Sequence, residues 1–213
     1  MPLTKPYRLI LLRNNSVASY LDWHIPLSIN NFTLRQALKS LSSVQAEQKD
    51  IPLMVQLVEN PKFRFPGFEF FHGAVDLRQH DCIHILLGRG LTSIDEAFVI
   101  GFTMGTTNKV STTEERLYGL IAQYFYPSVY QFGESDIEVF KNAVRLGYIS
   151  CCQALDTVDF NQYLDNDIQS IRQSLSLEID LLSAYYKIEQ QRNSDNPACQ
   201  RLLNTNSISS NSV

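Results

Sequence analysis

The chain has 213 residues, of which 44% are hydrophobic and 11% aromatic. That supply of apolar side chains fills one sizeable core and excludes wholesale disorder. With 18 basic against 22 acidic residues and no run of Lys and Arg, the net charge of −4 argues against nucleic acid as a partner, because phosphate binding needs a concentrated basic surface.

The opening stretch, MPLTKPYRLILLRNN, places three basic residues ahead of the first acidic one, Asp22. Its apolar segment, Leu9 to Leu12, is too short for a signal peptide, and only the charge bias supports organelle targeting. No apolar run approaches the roughly 18–20 residues that cross a bilayer, so the chain is expected to be soluble or to rest on a membrane surface. Four cysteines, Cys82, Cys151, Cys152 and Cys199, show neither zinc-ribbon spacing nor a disulfide framework, which predicts reduced thiols in a cytosolic setting.

The first clear element is a helix in TLRQALKSLSSVQAEQK, where Leu34, Ala37, Leu38, Leu41 and Val44 recur at helical spacing. Strand-like alternation occurs only in KFRFPGFEFF, and Pro66-Gly67 breaks it into a turn. Two short helices are predicted around residues 79–98. STTEERLYGLIAQYFY then begins with Thr112 and Glu115 at capping-box spacing, and GESDIEVFKNAVRLGYISCCQAL repeats the device with Ser135 and Glu138. Pro127 and Gly133 punctuate the join. Further on, Leu164, Ile168, Ile171, Leu175, Ile179 and Leu182 form one stripe, predicting a single long helix with Asp165 and Asp167 at its positive end. The Asn- and Ser-rich end is expected to be mobile from Asn193, apart from a local turn at Leu202–Leu203. The reading is all-α: one helical bundle over residues 1–192 and a mobile tail over 193–213.

QHDCIHILLGRGLTSIDEAF carries two of the chain's four histidines. At ~100° per residue, Asp81 lies ~100° and His84 ~40° round the helix from His80. These three polar groups form a patch on an otherwise apolar helix, where burial is costly unless something satisfies them. Gly88 and Gly90 offer a C-cap, and Thr92 or Ser93 can cap a second helix. A hairpin about residue 90 would bring Glu96 level with His84. Two imidazoles with carboxylates suit zinc or another first-row metal, whereas magnesium prefers oxygen alone. Ser93 and Glu96 also have capping-box spacing, so spacing alone leaves a metal site and an ordinary cap beside core histidines equally open. His24 and His72 have no spaced partner and are read as ordinary histidines.

The pattern His80-Asp81-x-x-His84, eleven residues, Glu96 resembles the metal-site motif of the Coq-four proteins of ubiquinone biosynthesis. HDCIHILLG also resembles that family's His-Asp-x-x-His-x-Leu-x-Gly, with Gly88 in place. The resemblance covers roughly residues 60 to 130. Asp95 stands where members usually carry Gly and adds a carboxylate beside the site; YFYPSVYQF is not a family pattern. The resemblance implies an all-α fold, often a homodimer, lying peripherally on a membrane, which in a eukaryote is the inner mitochondrial membrane. It implies a divalent metal, commonly zinc, on His80, Asp81, His84 and Glu96, and a part in making a polyprenylated quinone. Members have been viewed as organisers of the biosynthetic complex and as catalysts that remove the carboxyl group at C1 of the ring.

A prenyl tail needs an apolar groove between helices, for which Phe98, Phe102, Met104, Tyr124, Phe125, Tyr126 and Tyr130 are candidate lining residues. Core packing is the commoner role for such residues. Arg78 and Arg89 flank the motif and are candidates for an anionic head group. The metal would act as a Lewis acid on a phenolate or carboxylate, with magnesium taking its place if the lipid carries a phosphate. One rival is a non-catalytic prenyl-lipid carrier or scaffold. An HD-type phosphohydrolase is another, but it needs a further upstream His, and His72 and His24 are badly placed. In a zinc protease a Glu would stand where this chain has Asp81.

Overall fold

The computed structural model describes residues 23–45, 71–126 and 131–203. Regular structure in these residues is helical: α1 (Leu34–Gln45), α2 (Leu77–Leu87), α3 (Ser93–Thr106), α4 (Thr112–Tyr124), α5 (Glu134–Ile149), α6 (Ile168–Ser174), α7 (Ile179–Arg192) and α8 (Pro197–Gln200). Two short 3₁₀ turns precede α6. The only β-type pairing among the described residues is one isolated bridge, Thr33 with Asp167. The all-α expectation therefore holds. KFRFPGFEFF lies outside the described residues except for Phe71.

The fold centres on α3, which lies against α2, α5 and α8. Apart from Ser93 and Glu96, all of its residues are buried, which is why it is apolar on every face rather than along one stripe. Its closest neighbour is α5. Gly101 and Gly105 of α3 meet Gly147 and Ala143 of α5, and the backbones touch: a Cβ at Gly105 would run into the Val144 carbonyl oxygen. Helix α1 buries Leu34, Ala37 and Leu41, the spacing read from sequence. Its first turn is tied to the segment before α6 by Leu34 N–H to Asn166 O (3.1 Å) and Arg35 N–H to Leu164 O (2.8 Å).

Caps set the helix limits. Asp76 accepts from Gln79 N–H at 2.9 Å, and the Gln79 side chain accepts from Asp76 N–H at 3.1 Å. Helix α2 ends in a Schellman motif: Arg89 N–H reaches His84 O and Gly88 N–H reaches Ile85 O, with Gly88 at φ 71°. Two expected caps are displaced. Ser111 rather than Thr112 caps α4, accepting from Glu114 N–H, and Asp136 rather than Glu138 closes the start of α5, accepting from Gly133 N–H.

The long helix expected through Leu164–Leu182 is two helices. Helix α6 ends in the same motif as α2, with Leu177 N–H on Arg172 O and Ser176 N–H on Gln173 O. The left-handed position is Ser176, φ 55°, where glycine would have announced the break. Leu175 and Leu177 both still reach the core, so the apolar stripe survives although the helix does not. The tail expected to be mobile from Asn193 is built into the fold through Leu203. Ala198, Cys199 and Leu202 are buried, and the Gln190 and Gln200 side chains each donate to the other's carbonyl. Residues 204–213 lie outside the described residues.

Two stability changes follow. Gly105→Ala forces α3 off α5 and lowers unfolding stability by about 1–3 kcal/mol, read as a drop in the urea midpoint. Ser176→Gly relieves a left-handed serine and raises the midpoint, by up to about 1 kcal/mol.

Candidate metal centre

The turn from Gly88 to Thr92 returns the chain so that the first turn of α3 lies against the middle of α2. Thr92 caps α3, and Asp95 closes that cap, accepting from Thr92 Oγ1–H at 2.7 Å and Thr92 N–H at 3.2 Å. Glu96 is therefore free of the capping role that its spacing from Ser93 allowed, and its carboxylate turns to the histidines. Oε2 is 3.3 Å from His80 Nε2, and Oε1 is 3.3 Å from His84 Nε2. The imidazoles stand edge to face with centroids 4.5 Å apart. One donor atom from each of the three residues lies within 4.8 Å of the others.

These distances fit a cation. Ligands at 2.0–2.1 Å round a tetrahedral zinc are separated by about 3.3–3.4 Å, close to both histidine–carboxylate distances. Burial supports the same reading. His80 Nε2, His84 Nε2 and His84 Nδ1 are buried and have no aligned hydrogen bond within the described residues, because the 3.3 Å approaches to Glu96 are close but poorly directed. Each such orphan costs about 1–3 kcal/mol. An ion would satisfy both Nε2 atoms and leave only His84 Nδ1.

The charges diverge within the cluster. Burial, reinforced by the charge of His84 and opposed by Glu96, draws His80 down to about 4. Burial also works against a charged His84, but the Glu96 carboxylate outweighs it, with help from Asp81 and Asp95, and the net shift is upward. Glu96 is held below its ordinary value: burial opposes this, and the two histidines more than compensate. The opposite shifts of His84 and Glu96 favour opposite charges across their contact, so a metal at this site would compete with protons for His84.

Asp81 does not join them. It is half-buried, stands outside the three-residue cluster, and reaches His84 through its charge. Asp95 contributes no carboxylate to the site either. It faces the turn, where Arg201 Nη2 donates to Oδ2 and Arg89 Nη1 lies 3.9 Å from Oδ1.

The residues expected to hold a head group separate. Arg78 is exposed on α2. Arg89 has no exposure; its Nη1 and Nη2 donate to the two Glu189 oxygens at 2.7 and 2.6 Å. Its guanidinium lies 3.8 Å from the centroid of the Phe98 ring and 4.2 Å from that of Tyr186. With both Nη atoms bonded to Glu189 and water excluded, Arg89 is a structural ion and not a head-group contact.

The expected groove residues are placed differently from one another. Phe98, Phe102, Met104 and Tyr126 are core, Tyr124 and Phe125 are each 66% exposed, and Tyr130 lies outside the described residues. Beside His80 there is a cavity of about 20 Å³, shared with His72, Met104 and Tyr118, which is room for about one water. His72 is not solitary: its N–H donates to Glu114 Oε1, and Nδ1 is 3.0 Å from Oε2. No spacing signal could have shown that pair, whose members are 42 residues apart.

Comparison with protein-family models, with curated proteins and with solved structures gave no match to this chain. The site is thus argued on its own residues. If Asp81 is a neighbour and not a ligand, Asp81→Asn changes zinc affinity only a few-fold, while Glu96→Gln weakens it by about 100-fold or more; competition against a chromogenic chelator measures both.

Proposed function

We propose that this chain is a divalent-metal protein in which His80, His84 and Glu96 hold one ion, with zinc the preferred occupant. The observation that carries this is the Glu96 carboxylate set 3.3 Å from two buried imidazole nitrogens that lack aligned hydrogen bonds. Two nitrogen donors and one carboxylate favour zinc or another first-row metal over magnesium. Three protein donors leave a coordination position open, the arrangement of catalytic rather than purely structural zinc.

The Coq-four resemblance of these same residues supports a place in isoprenoid quinone biosynthesis, acting on a prenylated aromatic precursor. When bound, the ion supplies Lewis-acid stabilisation of a phenolate or carboxylate as CO₂ departs. The chain's own contribution is to hold three donors on two helices braced by caps, and to keep the ion away from bulk water. Among the described residues no helix is long and apolar enough to cross a membrane. Leu117, Leu120 and Tyr124 are exposed on α4 at helical spacing, an apolar edge that suits peripheral contact with a lipid surface.

A carrier or scaffold role is the second reading, favoured by the small cavity beside His80, which admits no prenylated ring as it stands. The metal and the chemistry are tested separately. Elemental analysis of the purified chain should give about one zinc per molecule, lost in His80→Ala and Glu96→Ala; metal-free, folded protein after zinc loading removes the proposal. Zinc-loaded protein should then release CO₂ from a prenylated hydroxybenzoate, and His84→Ala should not. Lipid binding without turnover assigns the carrier role.

A further inference from the structure

A second cavity, of about 410 Å³, lies between the Pro26–Asn30 turn, α6, the start of α7 and Leu202–Leu203. It is within the range of small-molecule pockets, about 300–1,000 Å³, and none of the metal-site residues lines it. Among the described residues, Arg172 is its only charged lining side chain. That residue is 2% exposed and meets no carboxylate among the described residues. Nε donates to Leu86 O at 2.9 Å and Nη1 to Leu27 O at 2.8 Å. Nη2 makes only a long contact, 3.5 Å, to Ile85 O.

Four backbone carbonyls orient this guanidinium but do not neutralise it, and burial, partly offset by Tyr186, draws its pKa down to about 10, still cationic at neutral pH. The nearest acidic residues in sequence are committed elsewhere: Asp167 caps α6 through Ser170, and Glu178 accepts from Cys151 N–H. A buried cation without a counter-ion is expensive unless one arrives. The cavity lining is mixed, with polar Ser28, Asn30 and Gln169 and apolar Leu177, Ile179 and Leu203.

We infer that this cavity binds a small organic monoanion with an apolar body, a carboxylate being the simplest, its charged end on Arg172 Nη2 and its chain against Leu177, Ile179 and Leu203. The pairing explains both the mixed lining and a guanidinium that meets no carboxylate among the described residues.

Calorimetric titration of the full chain with octanoate and with octanol tests this. EDTA is present, so that an ion on His80, His84 and Glu96 cannot supply the anion site. Octanoate should bind saturably and roughly tenfold or more tighter than octanol, as a charge-assisted hydrogen bond requires. Arg172→Gln should abolish the difference. Because Arg172 also holds the end of α2, Gln169→Trp, an exposed substitution at the cavity wall, provides an independent block and should abolish octanoate binding in folded protein. Absence of saturable octanoate binding, equal affinity for octanol, or unchanged octanoate binding in Gln169→Trp overturns the inference. Since the cavity shares no residue with the metal centre, zinc stoichiometry stands or falls independently.

Discussion

Arg89 is held without any contact with water, its guanidinium closed between the Phe98 and Tyr186 rings and bonded at both Nη atoms to Glu189. Burial works against its charge, but Glu189 and Tyr186 outweigh that and hold it protonated. A buried pair of this kind adds little net stability over a well-packed apolar replacement. Removing one member, in contrast, strands a charge and costs about 3–5 kcal/mol. The geometry is therefore obligatory once built. Arg89 sits in the turn between the two helices that carry the metal candidates, and Glu189 sits on α7, so the ion pair fixes that turn against the opposite side of the bundle.

The rest of the site follows from that brace. Asp95 lies beside Arg89, closes the cap of α3 and takes Arg201 from the end of the described chain. Consecutive helical side chains diverge by ~100°, so fixing Asp95 toward the turn directs Glu96 toward α2. There the two histidines are already paired on one face. Asp95 and Glu96 thus divide their labour: one stabilises the hairpin with cationic partners, and the other faces histidine Nε2 atoms that have no aligned hydrogen bond among the described residues.

The sequence was informative at several local determinants, though not at the displaced caps of α4 and α5. Gly88 ends α2 as its left-handed position demands, and His84 and Glu96 meet across the turn that Gly88 and Thr92 define. Spacing also put Asp81 in the same patch and among the ligands, whereas the structure leaves it outside the three-residue cluster. Several misreadings came from non-local partners. Glu189 is 100 residues from Arg89 and Arg201 is 106 from Asp95, so neither pairing has any periodic signature. Composition made the segment after Asn193 look unstructured because three buried residues suffice to dock it. Ser176 hid a helix end by doing a glycine's work. Phe98 and Phe102 have the helical spacing of groove residues, but they line the core because α3 is covered on all sides.

The separation between Arg89 and Glu189 also has a meaning in time. A ribosome adding about 5–20 residues per second needs roughly 5–20 s to extend the chain from one partner to the other, and the arginine that joins Asp95 is made later still. Throughout that interval the nascent hairpin carries a lone guanidinium and an unbraced turn. Its histidine and glutamate side chains cannot be held at their final separations. Assembly of the candidate site is accordingly a late event in the life of each new molecule, completed only after Glu189 and Arg201 have emerged and closed over the turn.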